Sequence, residues 1–282
     1  MQRIKNSWEL GKISWSVLRS DTSLATFPVF AAIGSVLVFA VFGGLTALTG
    51  VNTTEGQESL EAMGYVFIAV GYVALAFVTT YFQAGLVFGA NEVLDGRNAT
   101  VRGSLDAANT KLHRILPWAI LSATVSVIIS AIEERAGIVG QIVSSILGAA
   151  WAVVTFLTIP VIVLEDLGPW NALKRSGTLL KQTWGENLGA QFGFGILGFL
   201  AAIPAIALIG GGIATGSIVV AIVLGAIGVV WLIAVSVVLS AMSGIYRTAL
   251  YRFTVDGQAP PAFAGADLGH AFDQRKGRGR TI

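Results

Sequence analysis

The sequence predicts an all-α, polytopic membrane protein: six transmembrane helices as three hairpins, each hairpin preceded by a cytoplasmic amphipathic surface helix. Three observations carry that reading. Of 282 residues, 54% are hydrophobic and only 12% charged, with a mean hydropathy of +0.75, about half the charge of an ordinary soluble domain. The charges are confined to segments, leaving uncharged runs at 22–54, 62–91, 115–132, 136–164 and 187–246. The 18 basic residues divide 17 to 1 between the two sides those runs define.

A span needs about 20 apolar residues, so the first four runs hold one helix each and the 60-residue run at 187–246 holds two. Ahead of the first run, Ile4, Trp8, Gly11, Trp15 and Leu18 recur at intervals of three and four, one face of a helix. That stripe is expected to face lipid. Lys5, Lys12 and Arg19 fall seven apart beside it, with stems along apolar surface and heads at phosphate level. Span one begins near Ser23 behind Asp21, an N-cap residue, with Pro28 in its first turns. Its apolar run is longer than a signal-peptide core, so it is expected to insert and stay.

The loop before span two carries Glu55, Glu58 and Glu61 and no base, and span two closes through Gln83 and Asn91-Glu92 to Asp95-Gly96. A second surface helix is expected at 98–115, on Val101, Leu105, Ala108, Leu112 and Ile115. Span three then opens at Pro117-Trp118. Pro160 near the end of span four and Pro204 within span five are expected to kink their helices. After Glu165-Asp166, Gly168 relaxes the backbone and Pro169 suits the first position of a new helix. Trp170, Leu173, Gly177, Leu180 and Trp184 share one face of it. The turn between spans five and six is expected at Gly210-Gly211-Gly212 to Gly216. The membrane domain thus runs over 1–255, and 256–282, ending in RKGRGRTI, reads as a cytoplasmic basic tail.

A shift of 169 positions aligns Ile4, Lys5, Ser7, Leu10, Lys12, Ser14 and Trp15 with Leu173, Lys174, Ser176, Leu179, Lys181, Thr183 and Trp184. The chain is therefore read as an internal repeat of surface helix plus hairpin. The matched positions supply a set of lipid-interface residues: Lys5, Trp8, Lys12, Trp15, Trp170, Lys174, Lys181 and Trp184.

The segments SWELGKISWSVLRSD, PVIVLEDLGPWNALKRS and YRTALYRFTVDGQAPPAF resemble an uncharacterised family of bacterial and archaeal integral membrane proteins, a domain of unknown function. The resemblance covers nearly the whole length and implies six spans, with no catalytic role for any position. The central motif is also similar to the membrane domain beside some glycerophosphodiester phosphodiesterases, whose hydrolase part has no counterpart in this sequence.

Chemistry-bearing motifs are sparse. The absence of cysteine excludes disulfides and thiolate sites. Glu133-Glu134 and Glu165-Asp166 are expected to be solvated where spans end, and His113 and His270 to be surface residues. Gly85-Gly89 and Gly189-Gly193 have the spacing of close helix packing. No nucleophile–base pair, metal set or cofactor motif is read, which leaves no support for an enzyme. The deepest polar side chains are Gln83, Gln141, Gln191, Thr155 and Thr158. The function expected is a non-enzymatic scaffold or partner- or lipid-binding protein of the cell membrane; the alternative is a channel or carrier for a small apolar or lipid-like substrate. A continuous cavity reaching the midplane and lined by Gln83, Gln141 or Gln191 would favour the carrier, and a filled core with an exposed apolar flank the scaffold. Anionic membrane lipids, a protein partner or a second copy of the chain are the partners expected, and nucleic acid is not.

Orientation follows from the charge division, because bases concentrate on the cytoplasmic side; both termini are expected there. A cysteine at Glu58 should react with an impermeant maleimide on intact cells, and one at Ser104 should not. Labelling within the 98–115 helix from outside would reverse the orientation.

Overall fold

A computed structural model describes residues 2–49, 51–54, 57–60, 62–135, 137–184 and 191–263. Its order is α1 (Gln2–Ser20), a 3-10 turn (Thr22–Ala25), α2 (Thr26–Thr49), β1 (Val51–Thr54), β2 (Gln57–Leu60), α3 (Ala62–Leu94) and α4 (Val101–Thr110). Then come α5 (Leu112–Arg135), α6 (Gly137–Val154), α7 (Thr158–Glu165), α8 (Pro169–Trp184), α9 (Gln191–Ala214), α10 (Ile218–Asp256) and a 3-10 turn at Pro261–Phe263. The chain is an all-α polytopic membrane protein. Five segments are long and apolar enough to cross a bilayer: Thr22–Thr49, Ala62–Leu94, Leu112–Glu134, Val139–Glu165 and Ile218–Asp256. A sixth apolar segment, Gly198–Ala214 within α9, is shorter.

Helices adjacent in sequence pack as hairpins: α2 on α3, α5 on α6, and α9 on α10. Small residues set the closeness of the first pair. A Cβ on Gly85 would come within 2.8 Å of the Phe27 ring, one on Gly34 within 2.7 Å of Val78, and one on Gly71 within 3.1 Å of Phe42. At the far end, the chain between α2 and α3 forms an antiparallel hairpin pairing Val51 with Leu60 and Thr54 with Gln57, where the sequence suggested only an acidic loop.

The ends of α3, α7 and α10 meet at the opposite, basic end, and there the core is densest. The largest fully buried side chains are Leu24, Phe27, Leu94, Ile115, Leu157, Ile162, Leu179, Ile245, Tyr246, Leu250 and Phe263, all close to span ends on that side. Asp21 organises one corner as the expected N-cap. Its carboxylate accepts from Ser23 N at 3.0 Å and Ser23 Oγ at 2.6 Å, and also from Ala99 N at 3.0 Å.

The amphipathic helices are more integral than a lipid-surface reading allows. On α1, Leu10, Gly11, Ser14, Val17 and Leu18 are buried and the helix packs on α10, so Gly11 and Leu18 of the expected lipid-facing stripe face protein. On α8, Leu180 of the stripe is buried with Ala172, Ser176 and Leu179. Helix α4 ends at Thr110, one turn earlier than expected, and Leu112 and Ile115 belong to α5. It runs antiparallel along the end of α3: a Cβ on Gly89 would meet Ser104 Oγ at 3.1 Å, one on Gly85 Leu105 at 3.4 Å, and Tyr81 donates to Asn109 Oδ1 at 2.8 Å. Ser104 is therefore buried, and Arg102, whose side chain is 94% exposed, is the better labelling position on that helix.

Two proline expectations divide. Helix α9 continues through Pro204, whereas span four breaks into α6 and α7 at Thr155-Phe156-Leu157. Pro160 lies four residues past Phe156, so it cannot donate to that carbonyl and its ring crowds it. The glycine run at 210–212 is helical; the turn falls at Gly216, φ +68°, with Ser217 capping α10. Gly212 lets α10 approach, since a Cβ there would meet Ala221 Cα at 3.2 Å.

The break in span four strands backbone groups in an apolar layer, where each unsatisfied one is expensive. Ser176 of α8 answers two of them. Its hydroxyl accepts from Leu157 N at 3.2 Å and donates to the Val154 carbonyl at 2.6 Å. Ser176→Ala should cost about 1–3 kcal/mol by leaving both groups unpaired. Thr178→Ala, whose hydroxyl only back-bonds to Lys174 O, should change the melting temperature in detergent little. Equal melting temperatures for the two variants would show that Ser176 does not brace the break.

Candidate functional site

The basic end is built on three span ends that turn alike. Gly96, Asp166 and Gly257 take φ of +77°, +56° and +70°, the left-handed conformation that closes a helix and that aspartate tolerates better than most residues. Each turn is next to, or is, an aspartate of the motif seen in the sequence: Asp95, Asp166 and Asp256.

These acids are bridged rather than simply solvated. Arg97 binds Glu92 through two hydrogen bonds of 2.6 and 2.8 Å and Asp95 at 3.0 Å. Arg252 of α10 reaches across to Asp95 and lies 3.7 Å from Asp256 on its own helix. Glu165 takes Arg175 Nε at 3.2 Å on both oxygens and the Tyr251 hydroxyl at 3.0 Å. Asp166 has Lys111 at 3.1 Å, with Arg114 at 3.7 Å and His113 at 3.9 Å. The Lys111 hydrogen bond, helped by the charges of Arg114 and His113, holds the Asp166 carboxyl below its ordinary range, and the Glu92 hydrogen bond raises Arg97. Glu165 and Asp166, expected to face water, instead tie α7 to α8, α10 and α5. Glu133-Glu134 are exposed at the end of α5, and His113 is 59% exposed.

Five of the eight expected lipid-interface residues have described side chains. Trp15 is 44% and Trp170 60% exposed, with Lys174 Nζ 5.5 Å from the Trp170 ring centroid. Lys12 and Lys181 are exposed, and the aligned Leu10 and Leu179 are both buried. The side chains of Lys5, Trp8 and Trp184 lie outside the described residues, as do the tail from 264 with His270, the Gln191 side chain and Gly189.

Sequence reasoning missed Arg247. Its guanidinium carbon lies 4.8 Å from the Phe156 ring centroid, its buried Nε has no hydrogen-bond partner, and no described carboxylate pairs with it. The available signal was its position as the first charge after 60 uncharged residues. It was passed over because that position looked like the end of the span, whereas α10 continues to Asp256.

Beyond the charged layer, a half-open groove of about 400 Å³ separates α2, α3 and α10, lined by Phe27, Ser35, Gln83, Leu86, Ser236 and Ser240 among others. From Ser240 to Val229 it follows α10 for about 16 Å, half the thickness of a bilayer's hydrocarbon core. Gln141 is exposed on α6 and does not line it. Apolar flanks are exposed as well, with Val36 68%, Phe39 72%, Ile218 76% and Val230 66% accessible. A half-open groove lined by Gln83 and exposed apolar flanks are therefore both present.

Asp95→Asn should destabilise by about 1–3 kcal/mol, the range for hydrogen bonds to charged groups, because Asp95 and its partner Arg252 are only 26% and 22% exposed. Asp106→Asn, in a pair 94% and 68% exposed at 3.9 Å, should be nearly neutral. Thermal unfolding of the two variants in one detergent compares them directly.

The chain belongs to a family of unknown function, DUF6159, whose pattern matches residues 62–261. The match leaves α1, α2 and the β-hairpin outside it. No curated protein and no solved structure is detectably similar to the chain.

Proposed function

We propose that this DUF6159 protein is a non-enzymatic, lipid-binding protein of the cell membrane, with six spans, cytoplasmic termini and an inner face that holds anionic headgroups. The observation that carries the reading is a set of cations that no described carboxylate neutralises. Arg19, Lys174, Lys181 and Arg247 all belong to elements gathered at the basic end, beside the exposed rings of Trp15 and Trp170. Tryptophan favours the membrane–water boundary, with its ring in the apolar layer and its N–H toward water. A half-buried arginine stacked on phenylalanine with an unpaired N–H is suited to a phosphate oxygen.

Helix α9 supplies the sixth span in this reading, since its 24 residues extend about 36 Å. The charge division supports cytoplasmic termini, and the recurrence of helix plus hairpin in α1–α3, α4–α7 and α8–α10 supports a threefold internal repeat. A second reading, a carrier for a lipid-like substrate, is favoured by the groove that Gln83 lines.

Each basic residue near an anionic surface contributes about 1 kcal/mol, so Lys12→Gln, Lys181→Gln and Arg247→Gln combined should weaken phosphatidylglycerol binding about a hundredfold at low salt. Mass spectrometry of lipid retained in mild detergent measures this, and wild-type retention should fall as salt rises. Retention by the triple variant equal to wild type at every ionic strength would refute the headgroup role.

A further inference from the structure

We propose that the groove between α2, α3 and α10 binds a neutral, membrane-dissolved lipid: a long-chain or isoprenoid alcohol whose hydroxyl is recognised by Gln83, Ser35, Ser236 and Ser240. The site is separate from the charged inner face and does not depend on that face binding headgroups.

Three helices bring these groups together. Ser236 and Ser240 are one turn apart and share a face of α10, Gln83 comes from α3, and Ser35 from α2. Hydroxyls inside apolar helices ordinarily back-bond to a carbonyl one turn earlier. Thr46, Thr79, Thr124, Ser126 and Thr248 do so at 2.8–2.9 Å. Among the described residues, Ser35, Ser236 and Ser240 make no such bond and the Gln83 carboxamide has no hydrogen-bond partner. Four polar side chains from three helices are thus left open along one apolar wall, in a layer where such groups are costly unless partnered.

The chemistry of the wall selects the occupant. A cleft of about 400 Å³, mostly apolar with a few convergent polar groups, has the make-up of a small-molecule site. No lining residue is charged, so a phosphate would lose its hydration without compensation. Phe27 and Leu86, 1% and 2% exposed, close the groove toward the inner layer, so a headgroup there has no straight path to a chain within it. Carboxamide and hydroxyls both donate and accept, which matches an alcohol and gives no advantage to a bare hydrocarbon.

The test uses the full-length protein in nanodiscs and three probes of one skeleton: farnesol, farnesyl phosphate and the hydrocarbon lacking the hydroxyl. Saturable farnesol binding is expected, with the other two at least about tenfold weaker, the worth of a hydrogen bond or two. Gln83→Leu, or Ser236→Ala with Ser240→Ala, should weaken farnesol about tenfold and leave the hydrocarbon unchanged; Ser236→Phe should exclude all three. Ser240→Ala alone removes one oxygen atom and carries the comparison should Gln83→Leu fail to fold. The Lys12, Lys181 and Arg247 variants should bind farnesol as wild type does. The proposal is overturned by absent farnesol binding, by equal binding of farnesol and the hydrocarbon, by tighter binding of farnesyl phosphate, or by disulfide cross-linking of a Ser236→Cys variant to a second copy of the chain.

Discussion

Pro160 removes the donor that the Phe156 carbonyl would need in a continuous span four, and the basic end of the molecule is arranged around the break found there. The chain turns at Thr155-Phe156-Leu157 and restarts as α7, which places Phe156 beneath Arg247 and carries Glu165 to Tyr251 and Arg175. None of this is tolerable unless the freed N–H and C=O are satisfied, because lipid offers no water to do so. Ser176 supplies both bonds from α8. The amphipathic helix is therefore a structural part of the span it follows.

The same constraint accounts for where the molecule is tight and where it is loose. Lipid tails are as apolar as leucine, so spans gain little hydrophobic free energy by meeting one another. Packing free energy is available mainly at the layer facing water, and the fully buried side chains cluster there, from Leu24 and Phe27 to Tyr246 and Phe263. Helices α1, α4 and α8 thicken that layer by covering the ends of α10, α3 and α7. In the other half of the bundle, side chains such as Phe39 and Ile218 point outward as a lipid-facing wall. The ion pairs of the basic end hold span ends in register: Arg252 to Asp95 joins α10 to α3, and Lys111 to Asp166 links the turns at α5 and α7. Where such pairs are well exposed, their energetic worth is small, and their role is one of position.

Much of this was legible in the sequence because hydrocarbon is a severe filter. Runs without charge can be counted, and Asp21, Gly85 and Gly89 act through short-range rules of capping and close approach that a sequence displays. What escaped depended on contacts between distant segments. The stripe containing Gly11 and Leu18 has the same spacing whether it meets lipid or α10, so periodicity cannot name its partner. Pro160 announced a disturbance but not that a serine sixteen residues later would repair it. The turn region expected from Gly210 to Gly216 holds the turn only at its end, at Gly216 with its positive φ, whereas Gly210–Gly212 stay helical and Gly212 serves the approach of α10. Arg247 escaped because hydropathy records where apolar sequence stops, here at 246, and not where the helix does.

Polar groups in this protein therefore fall into two populations governed by different physics. At the basic end they are charged, many of them are paired, and most are within reach of water, so ionic strength modulates them through screening. Along the spans they are neutral hydroxyls and amides, insensitive to salt, and most are consumed by the carbonyl one turn back. A neutral group that escapes this consumption keeps its full hydrogen-bonding capacity in a medium that cannot supply a partner. That makes its side chain a stronger discriminator than the same group would be in water. A charge at the same depth would discriminate too, but at a desolvation cost that the helix insertion itself must meet. Serine and glutamine give selectivity without that cost, and they do so only where small side chains leave the space between helices unfilled, as Ala31, Ala32 and Ser35 of α2 do along the groove.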